Sequence, residues 1–288
     1  MPLFDTTTTA IDPQYIEYRD CPDREPERVY LEALWQIFRQ HADPSFREQM
    51  CHDFLARYWE MVLGVFLTTN GLQLLPNTGA GPDFRINGPF PISIEAVAPD
   101  HGDGPDRVPS LNEVVGHRSL GKKPNDEITL RVRAVINDKL QQYVIRRNNG
   151  VVAADVSYVI AINPLKLGLV AIDTDPPQLL RATLGLGEPV AHLERGEEEA
   201  ELKNTHRPVI YKRNLSPVET DIFLNESHAA ISAILMSFVQ PRHRKMEPDV
   251  RLLHNPHALN CLPMNLMPRA TEYWIEGEEL IERPPYAL

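Results

Sequence analysis

The chain has 288 residues, 42% of them apolar, so it is long enough for one large or two small domains, and folding rather than disorder is expected. A net charge of −11 argues against a passive nucleic-acid coat, whose affinity would come from Lys and Arg neutralising phosphates, but leaves room for a carboxylate site loaded with divalent cations. Cys21, Cys51 and Cys261 lack C-x-x-C spacing, the N-terminus lacks a signal pattern, and the longest apolar run (61–67) is far below the roughly 20 residues of a membrane span; the expectation is a cytoplasmic protein with no membrane partner.

Residues 1–26, with a Thr run, prolines and alternating charges, read as an irregular N-terminal arm. From Glu27 to Gln40, Val29, Leu31, Leu34, Trp35, Ile37 and Phe38 recur near helical spacing. A second helix is expected after Asp43-Pro44, running to the stop at Asn70-Gly71. Three short strands follow, 71–76, 82–86 and 90–98, as an antiparallel meander. The Pro- and Gly-rich stretch from Pro99 to Asn125 is a long loop or lid.

Residues 126–147 place Ile128, Val132, Val135, Ile136, Leu140, Tyr143 and Val144 on one face of a helix capped by Asn125. The apolar run 156–162 has the character of a central strand. Two further strands are expected at 229–238 and 249–255, after a stretch (165–205) whose acidic run, Glu194 to Glu201, reads as a solvated face. Helix, three-strand meander, helix, strand gives an α/β class with a central mixed sheet flanked by helices and added C-terminal strands. The expected organisation is one domain over 27–262, with a tail (263–288) packed on it as a clasp.

Two carboxylates stand out. Asp83 opens one strand, and Glu95 sits inside the next, where Ile92, Ile94 and Ala96 share one face and Ser93, Glu95 and Val97 the other. A carboxylate in an apolar strand is costly to bury unless it is paired or holds a metal, and two on adjacent strands suit Mg²⁺ or Mn²⁺. Glu60 is isolated on an apolar helix upstream. Lys139, Gln142 and Tyr143 stand at i, i+3 and i+4 on the helix downstream and project over one patch.

In order and spacing, Glu60, Pro82-Asp83, Glu95 and Lys139 resemble the PD-(D/E)XK nuclease superfamily, over about a third of the chain. The resemblance implies a restriction-endonuclease-like core, metal binding by Asp83 and Glu95 with Glu60 as a further ligand, and phosphodiester hydrolysis in nucleic acid, DNA first, as in bacterial restriction, repair or defence. It also implies a Lys two residues after the strand Glu, where this chain has Val97; Lys139 is the replacement candidate, with Lys122 and Lys123 behind it. Gln142 and Tyr143 would contact the backbone phosphate, and Arg131, Arg133, Arg146 and Arg147 would line the approach. A homodimer would suit double-strand cleavage, though no heptad forces one.

The bland alternative is that Gly-Pro-Asp is turn chemistry and Glu95 pairs an arginine such as Arg85 or Arg133, leaving a nuclease-like fold that only binds or scaffolds. No H-E-x-x-H, nucleotide-binding Gly loop or G-x-S-x-G occurs. His254 and His257 flank Asn255-Pro256 and read as loop anchors that border the site. Arg242-His243-Arg244-Lys245 is the one strongly basic run, a solvated loop or a phosphate contact.

Overall fold

Asp12-Pro13 starts the first helix for a local reason. The Asp12 carboxylate accepts from the N–H groups of Gln14 and Tyr15, and proline at the first position loses no hydrogen bond. The helix α1 (Pro13–Asp20) buries Tyr15 and Tyr18 against Phe54, and Leu3 is wholly buried. The expected irregular arm over 1–26 is therefore corrected: it is an ordered part of the core.

The computed structural model describes residues 1–77, 79, 81–110, 124–170, 173–192 and 201–286. Residues 111–123, with His117, Lys122 and Lys123, and the acidic run as far as residue 200 lie outside the described residues.

The helix α2 (Glu25–Phe38) buries Tyr30, Leu31, Leu34, Trp35 and Phe38, while Val29 and Ile37 face solvent. The single helix expected from 46 to 70 is two, α3 (Phe46–Met50) and α4 (Phe54–Thr69). Asp53 leaves helical geometry and accepts from Ala56 N–H, restarting the backbone as an N-cap. The α4 helix ends at Asn70, with Gly71 at φ +81°, as its sequence implies.

The strands β1 (Phe84–Ile86) and β2 (Ile92–Val97) form an antiparallel hairpin. The expected third strand at 71–76 is reduced to a bridge, Leu74 with Ile86. Pro76, which has no N–H, closes that segment early. The helix α5 (Asn125–Asn148) has Asn125 as its first helical residue rather than its cap, with Pro124 preceding. Then come β3 (Ser157–Ile162), buried at every position, the short helix α6 (Gln178–Thr183), and the hairpins β4 (Leu186–His192) with β5 (Glu201–His206) and β6 (Val209–Tyr211) with β7 (Pro217–Glu219). The strands β8 (Ala233–Ser237) and β9 (Val250–His254) match expectation.

The tail is not a clasp. Residues 263–288 contribute β10 (Thr271–Glu276) and β11 (Glu279–Arg283) to the main sheet, so the boundary at 262 disappears. The sequence TEYWIE buries Glu272 and Tyr273, and β10 pairs in parallel with β9. The sheet is seven-stranded and mixed, in the order β1-β2-β3-β8-β9-β10-β11.

Helices cover both faces. The helices α1 to α4 pack with Phe84, Ile92, Ile94, Val159, Ala233 and Leu235 in one core, and α5 and α6 with Val97, Ile160, Ile162, Ile234 and Leu253 in the other. The strand period of two sends alternate residues to opposite layers, as the sequence of β2 implies. Among the described residues no helix is long and apolar enough to cross a membrane.

Candidate active site

Antiparallel register brings the two strand carboxylates together. Phe84 pairs with Ile94, so one step further Asp83 stands across from Glu95. Asp83 does not continue the ladder; its Oδ2 accepts from Ala96 N–H at 2.8 Å and caps the backbone of β2 where β1 has ended. Its Oδ1 has no hydrogen-bond partner among the described residues. Burial pushes the Asp83 carboxyl up, partly offset by the Ala96 N–H and by Arg57, Lys139 and Arg146.

Glu95 points into the layer of α5 and is 2% exposed. Lys139 Nζ donates to its Oε2 at 3.2 Å, and Arg146, two turns later on the same helix, pairs with Oε1. The bland expectation of an arginine partner is thus met, by Arg146 rather than Arg85 or Arg133. Val97, on the same face as Glu95, packs into the α5 core. The ammonium beside Glu95 comes from the helix, that of Lys139.

Glu60 is 1% exposed on α4 and pairs with Arg57, one turn before it. Desolvation of this buried group holds its carboxyl up at about 8; Arg57 opposes the rise, and the carboxylates of Asp83 and Asp43 add to it. Arg57 is itself partly solvated, which weakens its hold on the Glu60 charge.

Asp83 is the link between the other two: its charge acts on Glu60, and it is itself stabilised by Arg57, Lys139 and Arg146, whereas Glu60 on α4 and Glu95 facing α5 belong to opposite layers of the sheet. Asp43 is a fourth carboxylate, beside Gly79. The sequence reading missed Asp43 and Arg57, and it set Arg146 on the approach to the site rather than on Glu95; the i, i+3 spacing of Arg57 and Glu60 and the i, i+7 spacing of Lys139 and Arg146 were the available signals.

No match to this chain is found among protein-family models, curated proteins or solved structures. The site is read from its own geometry.

Several expected contacts lie elsewhere. Tyr143 is 2% exposed and stacked on Tyr158, ring centroids 4.1 Å apart, so it is a core residue and cannot reach a phosphate. Gln142 is exposed, and its Oε1 accepts from Lys139 at 3.4 Å. Arg131 pairs with Asp100, and Arg133 is buried, donating to the Glu219 carbonyl at 2.7 Å. His254 pairs with buried Glu272 at 2.6 Å. It lies on β9, three strands from β2, roughly 14 Å at strand spacing, so the His254–His257 turn does not border the carboxylates.

The donor set fits a hard divalent cation in chemistry, because every candidate ligand is a carboxylate oxygen and, among the described residues, one oxygen of Asp83 has no hydrogen-bond partner. Among the described residues no three acidic, His or Cys side chains form a ready-made cation cage. Lys139 and Arg146 take both oxygens of Glu95, and Arg57 holds Glu60.

Proposed function

We propose that this protein is a metal-dependent nuclease with a restriction-endonuclease-like core, hydrolysing phosphodiester bonds in nucleic acid, DNA first. The observation that carries the reading is the Lys139 ammonium 3.2 Å from Glu95, with Asp83 across the hairpin and the buried Glu60 electrostatically coupled to Asp83. Three buried carboxylates linked through Asp83, with a lysine on Glu95, are hard to account for as packing alone, since each would be cheaper at the surface.

Asp83 and Glu95 would hold Mg²⁺ or Mn²⁺, with Glu60 as a further ligand once it loses its proton. Such a cation supplies Lewis-acid stabilisation of charge on phosphate oxygens and a more acidic bound water. Lys139, its ammonium held between Glu95 and Gln142, would orient water for in-line attack. Gln142, exposed beside it, would add a contact to the substrate backbone. The Ala96 N–H fixes Asp83 so that its free oxygen does not wander.

A second reading, a nuclease-like fold that binds without cutting, is favoured by one feature: both oxygens of Glu95 are already paired with cations. One experiment separates the two. Mg²⁺ and Mn²⁺ are titrated calorimetrically into wild type, Asp83→Asn, which keeps the acceptor for Ala96, and Lys139→Met, and each protein is then incubated with plasmid and with RNA. The nuclease reading expects cation binding lost in Asp83→Asn, and cleavage lost with cation binding retained in Lys139→Met. Cation binding without cleavage in wild type supports the second reading; no binding at all makes the carboxylates structural.

A further inference from the structure

The geometry points to Arg146 as an exchange residue: its guanidinium holds Glu95 in the empty protein, is released when a divalent cation takes that carboxylate, and then binds the phosphodiester of the substrate. This rests on the metal-nuclease reading and adds to it a substrate-binding residue and a coupling between cation and nucleic acid.

Three observations carry it. First, Glu95 is buried and both of its oxygens are occupied, so a cation can gain an oxygen only by displacing a partner. Second, the two partners are not equivalent. The Lys139 side chain is 19% exposed and its ammonium also donates to Gln142 at 3.4 Å. Arg146 pairs with no other carboxylate among the described residues, its side chain is 31% exposed, and it lies in the last turn of α5. Its long apolar stem lets the charged head move toward solvent without unpacking the helix.

Third, the released group would need a new anion. With Glu95 on the cation, the charge of Arg57, Lys139, Arg146 and the divalent ion exceeds that of Glu60, Asp83, Glu95 and Asp43, the more so while Glu60 keeps its proton, and the mouth of the site turns net positive. A guanidinium presents a planar fork that matches two phosphate oxygens, which an ammonium cannot do. Cation and nucleic acid should therefore bind cooperatively, each relieving the charge the other leaves unpaired.

The test uses the full chain, with Arg146→Gln as the main variant and Arg146→Lys, which keeps an ion pair to Glu95, guarding against loss of fold. Mn²⁺ binding is measured by calorimetry, and binding of a fluorescein-labelled 20-base-pair DNA duplex by anisotropy in Ca²⁺ over a salt series. Arg146→Gln should bind Mn²⁺ about fivefold or more tightly than wild type, because the competing cation is gone. Its DNA affinity should fall about tenfold, with a slope against log salt shallower by about one. Arg146→Lys should fall between.

Mn²⁺ affinity that is unchanged or weaker in Arg146→Gln, or DNA affinity and salt slope that do not move, would make Arg146 a structural partner of Glu95 and overturn the inference alone. Wild type that binds neither Mn²⁺ nor DNA would overturn the nuclease reading and this inference with it.

Discussion

Replacing Glu60 by Gln tests the electrostatics of the site without touching its shape. An unfolded Glu loses its proton near 4.5, whereas the buried Glu60 keeps it to about 8. Between those values the folded state binds more protons than the unfolded state, so stability falls as pH rises and reaches its floor above about pH 8. At about 1.4 kcal/mol per tenfold change in proton affinity, the gap corresponds to a ceiling of about 5 kcal/mol, most of it developed between pH 5 and 8. Gln keeps the volume and cannot ionise. Urea denaturation in a chelator should therefore show the stability of wild type falling relative to that of Glu60→Gln as pH rises from 5 to 9. The difference in slope is the readout, because the lost contact with Arg57 offsets the variant by a constant. Parallel curves over that window would show that Glu60 is ionised throughout and that Arg57, not burial, sets its state.

Two further outcomes follow from buried groups outside the site. Burial, reinforced by the Arg133 guanidinium, lowers His228 to about 4. Its neutral form is required by the fold, so this group alone withdraws about 3 kcal/mol as pH falls from 6.5 to 4, against the gain from Glu60, and the stability of wild type minus that of His228→Asn in urea should fall by that amount. Glu272, wholly buried, joins His254 on β9, Arg283 on β11 and the Asn265 N–H; Glu272→Ala leaves a buried guanidinium uncompensated and should cost about 3–5 kcal/mol in denaturation at neutral pH.

What was legible in the sequence is what depends on near neighbours. Alternation placed Glu95 and Val97 on one face of β2, the hairpin placed Asp83 opposite, and helical spacing aimed Lys139 at the same patch. Tyr143 shows the limit: on α5 it lies between Lys139 and the apolar seam set by Ile128, Val132 and Ile136, and an aromatic ring at that border goes to the core, where Tyr158 awaits it. The first helix was signalled by Asp12-Pro13 but obscured by the polar residues around it. The parallel pairing of β9 with β10 has no local signature at all, because neither strand's sequence names its partner.

That last pairing has a consequence for how the molecule is made. Until residues 271–283 leave the ribosome, β9 is the exposed margin of a sheet, offering Leu252 and Leu253 with a row of unsatisfied backbone groups to any neighbouring chain. The network of Glu272 with His254 and Arg283 is what fastens the late strands over that margin. Weakening it would show first in the cell as insoluble protein, through copies of the nascent chain pairing edge to edge, before any change in chemistry could be measured.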